Sequence, residues 1–347
     1  MKMKSAKGLF DIDFRQHRLT DMNDPLVKLN EIVKWENFRP VIDGAFPVVD
    51  YSKGGRPPYD RVMLFKILLL KKIYGLSDDG IEYQITDRLS FMRFLGLELS
   101  HTVPDAKTVW LFGETLTNKG VLDSLFIALD ERLHQIGLVL NEGKIVDAQI
   151  VKAPIQRNTR EENERIKGGE VPGEWSAQKQ SQKDTDARWT EKHGKKYFGY
   201  KNHIKMDSRS KLITNFETSP ANDHDSLFLE YLIEDRDKGQ SLHADAAYES
   251  VKHRKFLKKK GMHNYTHKKA RPGTPLTVKQ IEANHIKSRV RARVEHAFGA
   301  MTMQIKDIRV RCRGLKRATA QITLTNICYN LMRSVYLVRT NKLSLQI

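Results

Sequence analysis

The feature that most constrains how this chain folds is a change of hydrophobic period near residue 140. Before it, apolar residues recur every three or four positions, the spacing of an amphipathic helix. From Lys144 onward they alternate with polar residues and become β-branched, the habit of strands. The expectation is a mixed α/β chain (α/β, with α+β character): an all-helical domain over residues 1–140, then a domain over 141–347 with a mixed central sheet flanked by helices.

In the first part the start is read as irregular. The stretch Asp60 to Tyr74 then carries Val62, Leu64, Phe65, Leu68, Leu69 and Ile73 on one helical face, after the helix-breaking lead Gly54-Gly55-Arg56-Pro57-Pro58. Ser77 supplies an N-cap for Asp78 to Thr86, whose two leading aspartates suit the positive end of a helix dipole. Asp87 to Phe94, a helix opened by Pro104-Asp105 and the run Val121 to Ile136 complete the module. Short helices joined by tight turns suit DNA reading or dimerisation, and equally a plain packing unit.

In the second part Lys144 to Val151, Phe198 to Met206, Leu212 to Thr218 and Ser241 to Ala244 read as strands. The polar segment Gln156 to Lys196 between the first two, with Gly168-Gly169 and Pro172-Gly173, reads as a charged excursion or mobile loop. Helices are expected at Ser226 to Asp235, Tyr248 to Lys260, Val278 to Met303 and Arg317 to Val338. The last, with Ile322, Leu324, Ile327, Leu331 and Val335, reads as a core helix covering the sheet.

The charge is unevenly placed. The chain of 347 residues has a formal net charge of +18, yet residues 1–140 hold 19 basic and 19 acidic side chains, against 41 and 23 in the remainder. The whole excess lies with the sheet. It favours a polyanionic partner such as nucleic acid over acidic small molecules. Cys312 and Cys328 suffice for neither a disulfide framework nor a four-cysteine zinc site, and a reducing compartment is the natural expectation. Met1 to Phe14 has no apolar stretch of signal-peptide length, and no run approaches the ~20 apolar residues of a membrane span. A cytoplasmic protein is expected.

Three carboxylates stand out by context: Asp147 inside Ile145-Val146-Asp147-Ala148, Asp245 ending Leu242-His243-Ala244-Asp245, and Glu295 within a helix. An acid in an apolar strand is costly unless it is paired with lysine or arginine or binds a metal. The residues alone leave both readings open. Phosphodiester chemistry would give the acids a task, because magnesium takes oxygen ligands from a few carboxylates, water and the substrate phosphate. Two such ions about 3.5 to 4 Å apart suffice for an in-line displacement without a covalent enzyme intermediate.

The chain resembles bacterial insertion-sequence transposases of the DDE type, in the group named after insertion sequence five, within the RNase H-like superfamily. The resemblance covers nearly its whole length. Tyr74-Gly75-Leu76-Ser77-Asp78, Leu89 to Leu97 and Val103-Pro104-Asp105 are similar to the helical N-terminal domain of that group. Val146-Asp147-Ala148 resembles the first catalytic strand, Gly199-Tyr200-Lys201-Asn202-His203 the strand after the long loop, and Pro220 to Asp225 the next turn. Ala244-Asp245-Ala246-Ala247-Tyr248 resembles the second catalytic aspartate and its tyrosine, with Ala247 where a glycine is frequent. Arg291 to Gly299 resembles the helix of the third acid, although Ser288 and Thr302 stand where the wider superfamily often has tyrosine and lysine.

The resemblance implies an RNase H-like catalytic domain in which Asp147, Asp245 and Glu295 are catalytic and hold Mg²⁺, with Mn²⁺ able to substitute. It implies cleavage at element ends, joining of the freed 3′-hydroxyl to target DNA, and a homodimer or higher multimer on double-stranded DNA near the nucleoid. Candidate DNA contacts are Lys201 and His203, which share a strand face; Arg291, one turn before Glu295; Arg293; and Arg309, Arg311 and Arg313, which on a strand would share a face. Lys258-Lys259-Lys260 and Lys268-Lys269 with Arg271 would add backbone contacts or are simply exposed. Three alternatives remain: a metal-dependent nuclease without strand transfer, a domesticated DNA-binding factor, and a basic RNA-binding protein with structural carboxylates.

Overall fold

The computed structural model describes residues 8, 10–48, 52, 54, 57–270, 273–306 and 308–340. Gly55, Arg56 and Arg271 lie outside the described residues. The first part is helical from Asp11 onward: α1 (Asp11–Asp21), α2 (Pro25–Ile32), α3 (Arg39–Asp43), α4 (Arg61–Tyr74), α5 (Asp78–Asp87), α6 (Leu89–Leu95), α7 (Ala106–Asn118) and α8 (Val121–Gln135). The expected irregular start is thus corrected by α1 to α3. Its signal is local: Asp24 caps the Leu26 N–H at 2.9 Å and Pro25 opens the first turn of α2. Ser77 and Asp105 cap α5 and α7 through Gly80 N at 3.0 Å and Thr108 N at 2.6 Å.

Helix α4 is buried on nearly every side, with Phe65, Ile67, Leu69 and Leu70 at 1% exposure or less. Each such side chain contributes roughly 1.5–3 kcal/mol relative to solvent. That is why the helical part packs around this element.

The sheet consists of β1 (Gly143–Lys152), β2 (Arg188–Lys192), β3 (Lys195–Asp207), β4 (Ile213–Pro220), β5 (Ser241–His243) and β6 (His263–Asn264). Its spine runs β4-β3-β1-β5-β6, with β2 pairing the first five residues of β3. β1 is antiparallel to β3 and parallel to β5, and β6 is parallel to β5. These are the order and directions of an RNase H-like sheet.

Between β1 and β2 the polar excursion is not a bare loop. It forms α9 (Arg160–Lys167), opened by a Thr159–Glu162 capping box, and α10 (Ala177–Gln182). Trp175 buries against it and donates to Glu162 Oε1 at 2.7 Å. The hairpin then bends at Gly199, where φ is +151° and the backbone of Val151 passes within 2.2 Å of where a Cβ would stand.

After β4 come α11 (Leu229–Leu232), α12 (Val251–Lys259), α13 (Val278–Arg291), α14 (Arg293–Gln304) and α15 (Leu315–Arg339). The helix expected over 278–303 breaks at Ala292, where Glu295 N bonds back three residues to Ala292 O at 3.2 Å rather than four.

The halves share one core. Leu29, Phe65 and Leu129 of the helical part, Ile145, Ile204 and Met206 of the sheet, and Ile327, Leu331 and Val335 of α15 belong to one buried cluster. A second cluster under the opposite sheet face joins Val146, Leu242 and Tyr248 to α11 and α12. α15 is also pinned by polar bonds. Asn326 exchanges amide bonds with Asn202 at 2.8 and 3.2 Å, and Asn330 bonds both backbone groups of Ile213 at 2.9 and 2.8 Å. Among the described residues, no helix is long and apolar enough to cross a membrane.

Candidate active site

Asp147 and Asp245 are brought level by strand register. Ile145 of β1 pairs His243 of β5 in parallel, and each aspartate lies two residues further along its chain. Side chains two apart on a strand share a face, so Asp147 lies on the side of Ile145, toward α13 and α14. Asp245, just beyond β5, turns to cap a short 3₁₀ turn over Ala246–Tyr248, accepting from Ala247 N at 2.8 Å.

The Asp147 side chain is 15% exposed; it accepts from Ala148 N at 2.8 Å and from Arg291 Nη1 at 3.0 Å. Burial pushes its pKa up to about 6, against the opposing pull of the Ala148 N–H and Arg291, and the neighbouring negative charge of Asp245 adds to the rise. A desolvated acid beside a second acid is an arrangement that an added cation relieves.

Glu295, in the first turn of α14, has a side chain 64% exposed and meets Arg291 Nη2 at 3.3 Å. Arg291 therefore stands between Asp147 and Glu295, touching both. Among the described residues, no three His, Cys, Asp or Glu side chains are grouped closely enough to hold a metal ion. The donors fit a hard divalent cation in type, all being carboxylate oxygens, and the two aspartates fit in placement.

The DNA contacts expected on β3 are corrected. His203 is fully buried: its Nε2 lies 2.9 Å from Ser219 Oγ, its ring stacks on Phe228 at 4.0 Å, and burial pushes its pKa down to about 4. Lys201 is paired with Asp225 at 2.7 Å and donates to Asp223 O at 2.7 Å. The turn at 223–228 folds over this strand face and takes up both side chains, so neither is offered to a phosphate.

Arg309 to Arg313 form no strand; Val310 alone bonds the sheet edge, its N–H reaching Lys152 O at 3.0 Å. The alternation nonetheless survives as burial, with Val310 inside and Arg309, Arg311 and Arg313 exposed, and Arg313 donates to Ser181 O at 2.9 Å. Arg293 points away from Asp147, donating to Ser208 O at 2.9 Å.

Two further neighbours flank the acids: His267, not singled out from the sequence, and Tyr248, named there only through the resemblance. His267 lies along the outer side of β5, its N–H donating to Ala244 O at 3.1 Å and its Nε2 lying 3.4 Å from Ser288 Oγ on α13. Among the described residues the buried Tyr248 hydroxyl has no hydrogen-bond partner, and burial together with Asp225, Asp147 and Asp245 holds its pKa well above the usual value. The Asp245-to-Tyr248 spacing hints at the tyrosine; nothing in the linear sequence places His267 beside Asp245.

Among solved structures, the chain is similar to a piggyBac transposase synaptic complex with hairpin DNA, at 11% identity over 92% of this chain and 74% of that one, with a TM-score of 0.44. It is also similar to a pre-cleavage Mos1 transpososome, at 11% identity over 86% of this chain and 85% of that one, with a TM-score of 0.18. A family described as "Transposase domain (DUF772)" matches residues 14–115, the helical part. The family described as "Transposase DDE domain" matches residues 141–331, from the threshold of β1 into the second half of α15. That span takes in both aspartates, Arg291 and Glu295 and covers more than half of the protein, and the chain belongs to the transposase DDE-domain family.

Proposed function

We propose that this protein is the transposase of a bacterial insertion sequence in the group of insertion sequence five, cleaving DNA at its element's ends and joining the 3′-hydroxyl ends to target DNA. The observation that carries the reading is the level placement of Asp147 and Asp245 on adjacent parallel strands, with Arg291 linking Asp147 to Glu295.

In this reading Asp147, Asp245 and Glu295 hold Mg²⁺, for which Mn²⁺ can substitute. A divalent ion at such a site supplies Lewis-acid polarisation of the phosphate and neutralises charge at the attacking and leaving oxygens. Asp147, fixed by Ala148 N–H, contributes a carboxylate whose direction is set before substrate arrives. Arg291 turns its guanidinium from the two acids to a phosphate oxygen as DNA enters, freeing Glu295 to swing toward the aspartates. The helical part over 1–140 binds element ends or dimerises, and the assembly on DNA is a homodimer or larger.

The exposed position of Glu295 favours a second reading, a DNA-binding protein of the same fold that does not cleave. The two separate when purified protein, Mg²⁺ and labelled DNA bearing the element ends are combined with wild type, Asp147→Asn, Asp245→Asn and Glu295→Gln. Boundary cleavage abolished by all three substitutions is expected. Binding without cleavage in wild type favours the second reading, and cleavage surviving Glu295→Gln assigns the third ligand elsewhere.

A further inference from the structure

On the far side of α14 from Glu295 is a cleft of about 510 Å³ lined by Arg209, Lys211, Arg293, Arg333, Tyr336 and a single carboxylate, Glu142. Among the described residues four cations converge there against one acid.

The cleft is built rather than incidental. Its floor is the turn between β3 and β4, held by the buried Asp207 carboxylate, which accepts from Asn141 N at 2.9 Å, Arg209 N at 3.1 Å, Ser210 N at 2.8 Å and Ser210 Oγ at 2.9 Å. That turn presents carbonyls that aim two arginines. Arg293 Nη1 donates to Ser208 O at 2.9 Å, and Arg333 Nε donates to Ser210 O at 2.7 Å while its guanidinium lies 4.8 Å over the Tyr336 ring. Among the described residues neither arginine has a carboxylate partner in an ion pair. A carbonyl orients a guanidinium without neutralising it, so each keeps donors for an anion. Arg209 is occupied by Glu142, at 3.0 and 3.1 Å.

Position selects the anion. Glu142 is five residues before Asp147, and at about 3.3 Å per strand residue the cleft lies roughly 16 Å from the acids along β1. That is about five phosphates of one DNA strand at ~3.4 Å each. Arg333 lies over the Tyr336 ring, so that face is not open to a base. We propose that this cleft binds a backbone phosphate of the duplex whose scissile bond lies at Asp147 and Asp245, as a second DNA contact on the flank. The inference rests on the transposase reading and places the path of the DNA across the base of the sheet.

The test measures binding of the full chain to a labelled non-specific duplex over a series of salt concentrations, for wild type, Arg209→Gln, Arg333→Gln and Glu142→Gln. Loss of one phosphate contact in Arg333→Gln reduces the slope of log K against log salt by about 0.9. Glu142→Gln, by releasing Arg209, tightens binding and steepens the slope, whereas a merely structural role for these residues predicts no gain. Arg209→Gln, at an exposed position, keeps the wild-type slope in the first instance and cancels the gain when combined with Glu142→Gln. If wild type binds duplex while all variants keep its slope, the cleft is not on the DNA path, although the transposase reading stands. If wild type binds no duplex, both fall. Calorimetry with inorganic phosphate is the control: saturable binding that Arg333→Gln abolishes, with unchanged duplex slopes, makes this a small-anion site and overturns the proposal.

Discussion

Arg291 Nη1 stands 3.0 Å from Asp147 Oδ2, so that the acid on the central strand is met by a cation from α13. The same guanidinium reaches Glu295 at 3.3 Å. A positive group thus lies between two of the acids proposed to hold a divalent ion, and such an ion would compete with it electrostatically. In the absence of DNA, Arg291→Gln is expected to bind Mn²⁺ more tightly by roughly tenfold, about 1.4 kcal/mol, while losing DNA cleavage. Counting free Mn²⁺ by electron paramagnetic resonance checks this; equal or weaker binding removes Arg291 from the role.

Asp147 should make stability depend on pH in a definite direction. Its folded pKa of about 6 lies above the ordinary 3.8, so the folded chain holds a proton that the unfolded chain has released. Without metal, folding is unaffected below about pH 4 and loses stability as pH rises toward 6. Asp147→Asn removes the penalty, and above pH 6 the variant is expected to be more stable by on the order of 1–3 kcal/mol, less whatever the Arg291 pair returns. Urea denaturation from pH 4 to 8 reads the difference. A pH-independent destabilisation would falsify the assignment of burial as the dominant cause.

Beneath the sheet, Lys205 and Asp237 are both 0% exposed and lie 2.6 Å apart, with Lys144 3.9 Å from the same carboxylate. Asp237→Asn leaves Lys205 with Glu234 as its carboxylate partner and Lys144 with the Asn141 amide, and is expected to cost about 3 kcal/mol. Lys205→Met leaves Asp237 with Lys144 and should cost clearly less. Equal losses in chemical denaturation would show that Lys144 does not share the carboxylate.

His203→Asn should leave the salt dependence of DNA binding at its wild-type value, because the ring is stacked under Phe228. It should instead act on folding. With its folded pKa pushed down to about 4, His203 is neutral in the folded chain, and stability contributed above pH 6.5 is lost as pH falls toward 4, where the unfolded imidazole takes a proton first. The variant lacks this acid sensitivity; a shallower salt slope would return His203 to the DNA surface.

Gly199→Ala tests whether the hairpin is anchored where it bends. The added Cβ would lie 2.2 Å from Val151 O and 2.8 Å from Ala153 N, both backbone atoms. A loss of about 3 kcal/mol or more is expected, with hydrogen-exchange protection reduced first over 188–199. Wild-type protection there would mean that the β1 backbone yields.

Much of the framework was legible along the chain. The change from a period near 3.6 to a period of two located α4 and β1, and Ser77 and Asp105 marked helix starts, because capping and periodicity act within a few residues. The acidic strand positions were visible for the same reason. The helices before residue 50 were missed where apolar spacing is sparse, although Asp24-Pro25 was a readable start.

What each charged side chain meets was decided only by tertiary structure. Lys201 and His203 have the period-two polarity of an exposed strand face, and that pattern is identical whether water or a polar turn covers it. Here the segment at 223–228, some twenty residues later, folds across and makes the face interior. Likewise Arg291 is one turn from Glu295 in any helix, but its bond to Asp147 spans 144 residues and exists because α13 packs on β5 and α14 on β1. Local sequence determined which elements form and which of them carry acids, since propensity, capping and period are short-range. The pairing of cations with acids, and the separation of buried charge from charge left for DNA, depend on contacts between distant segments and were set only when the core closed.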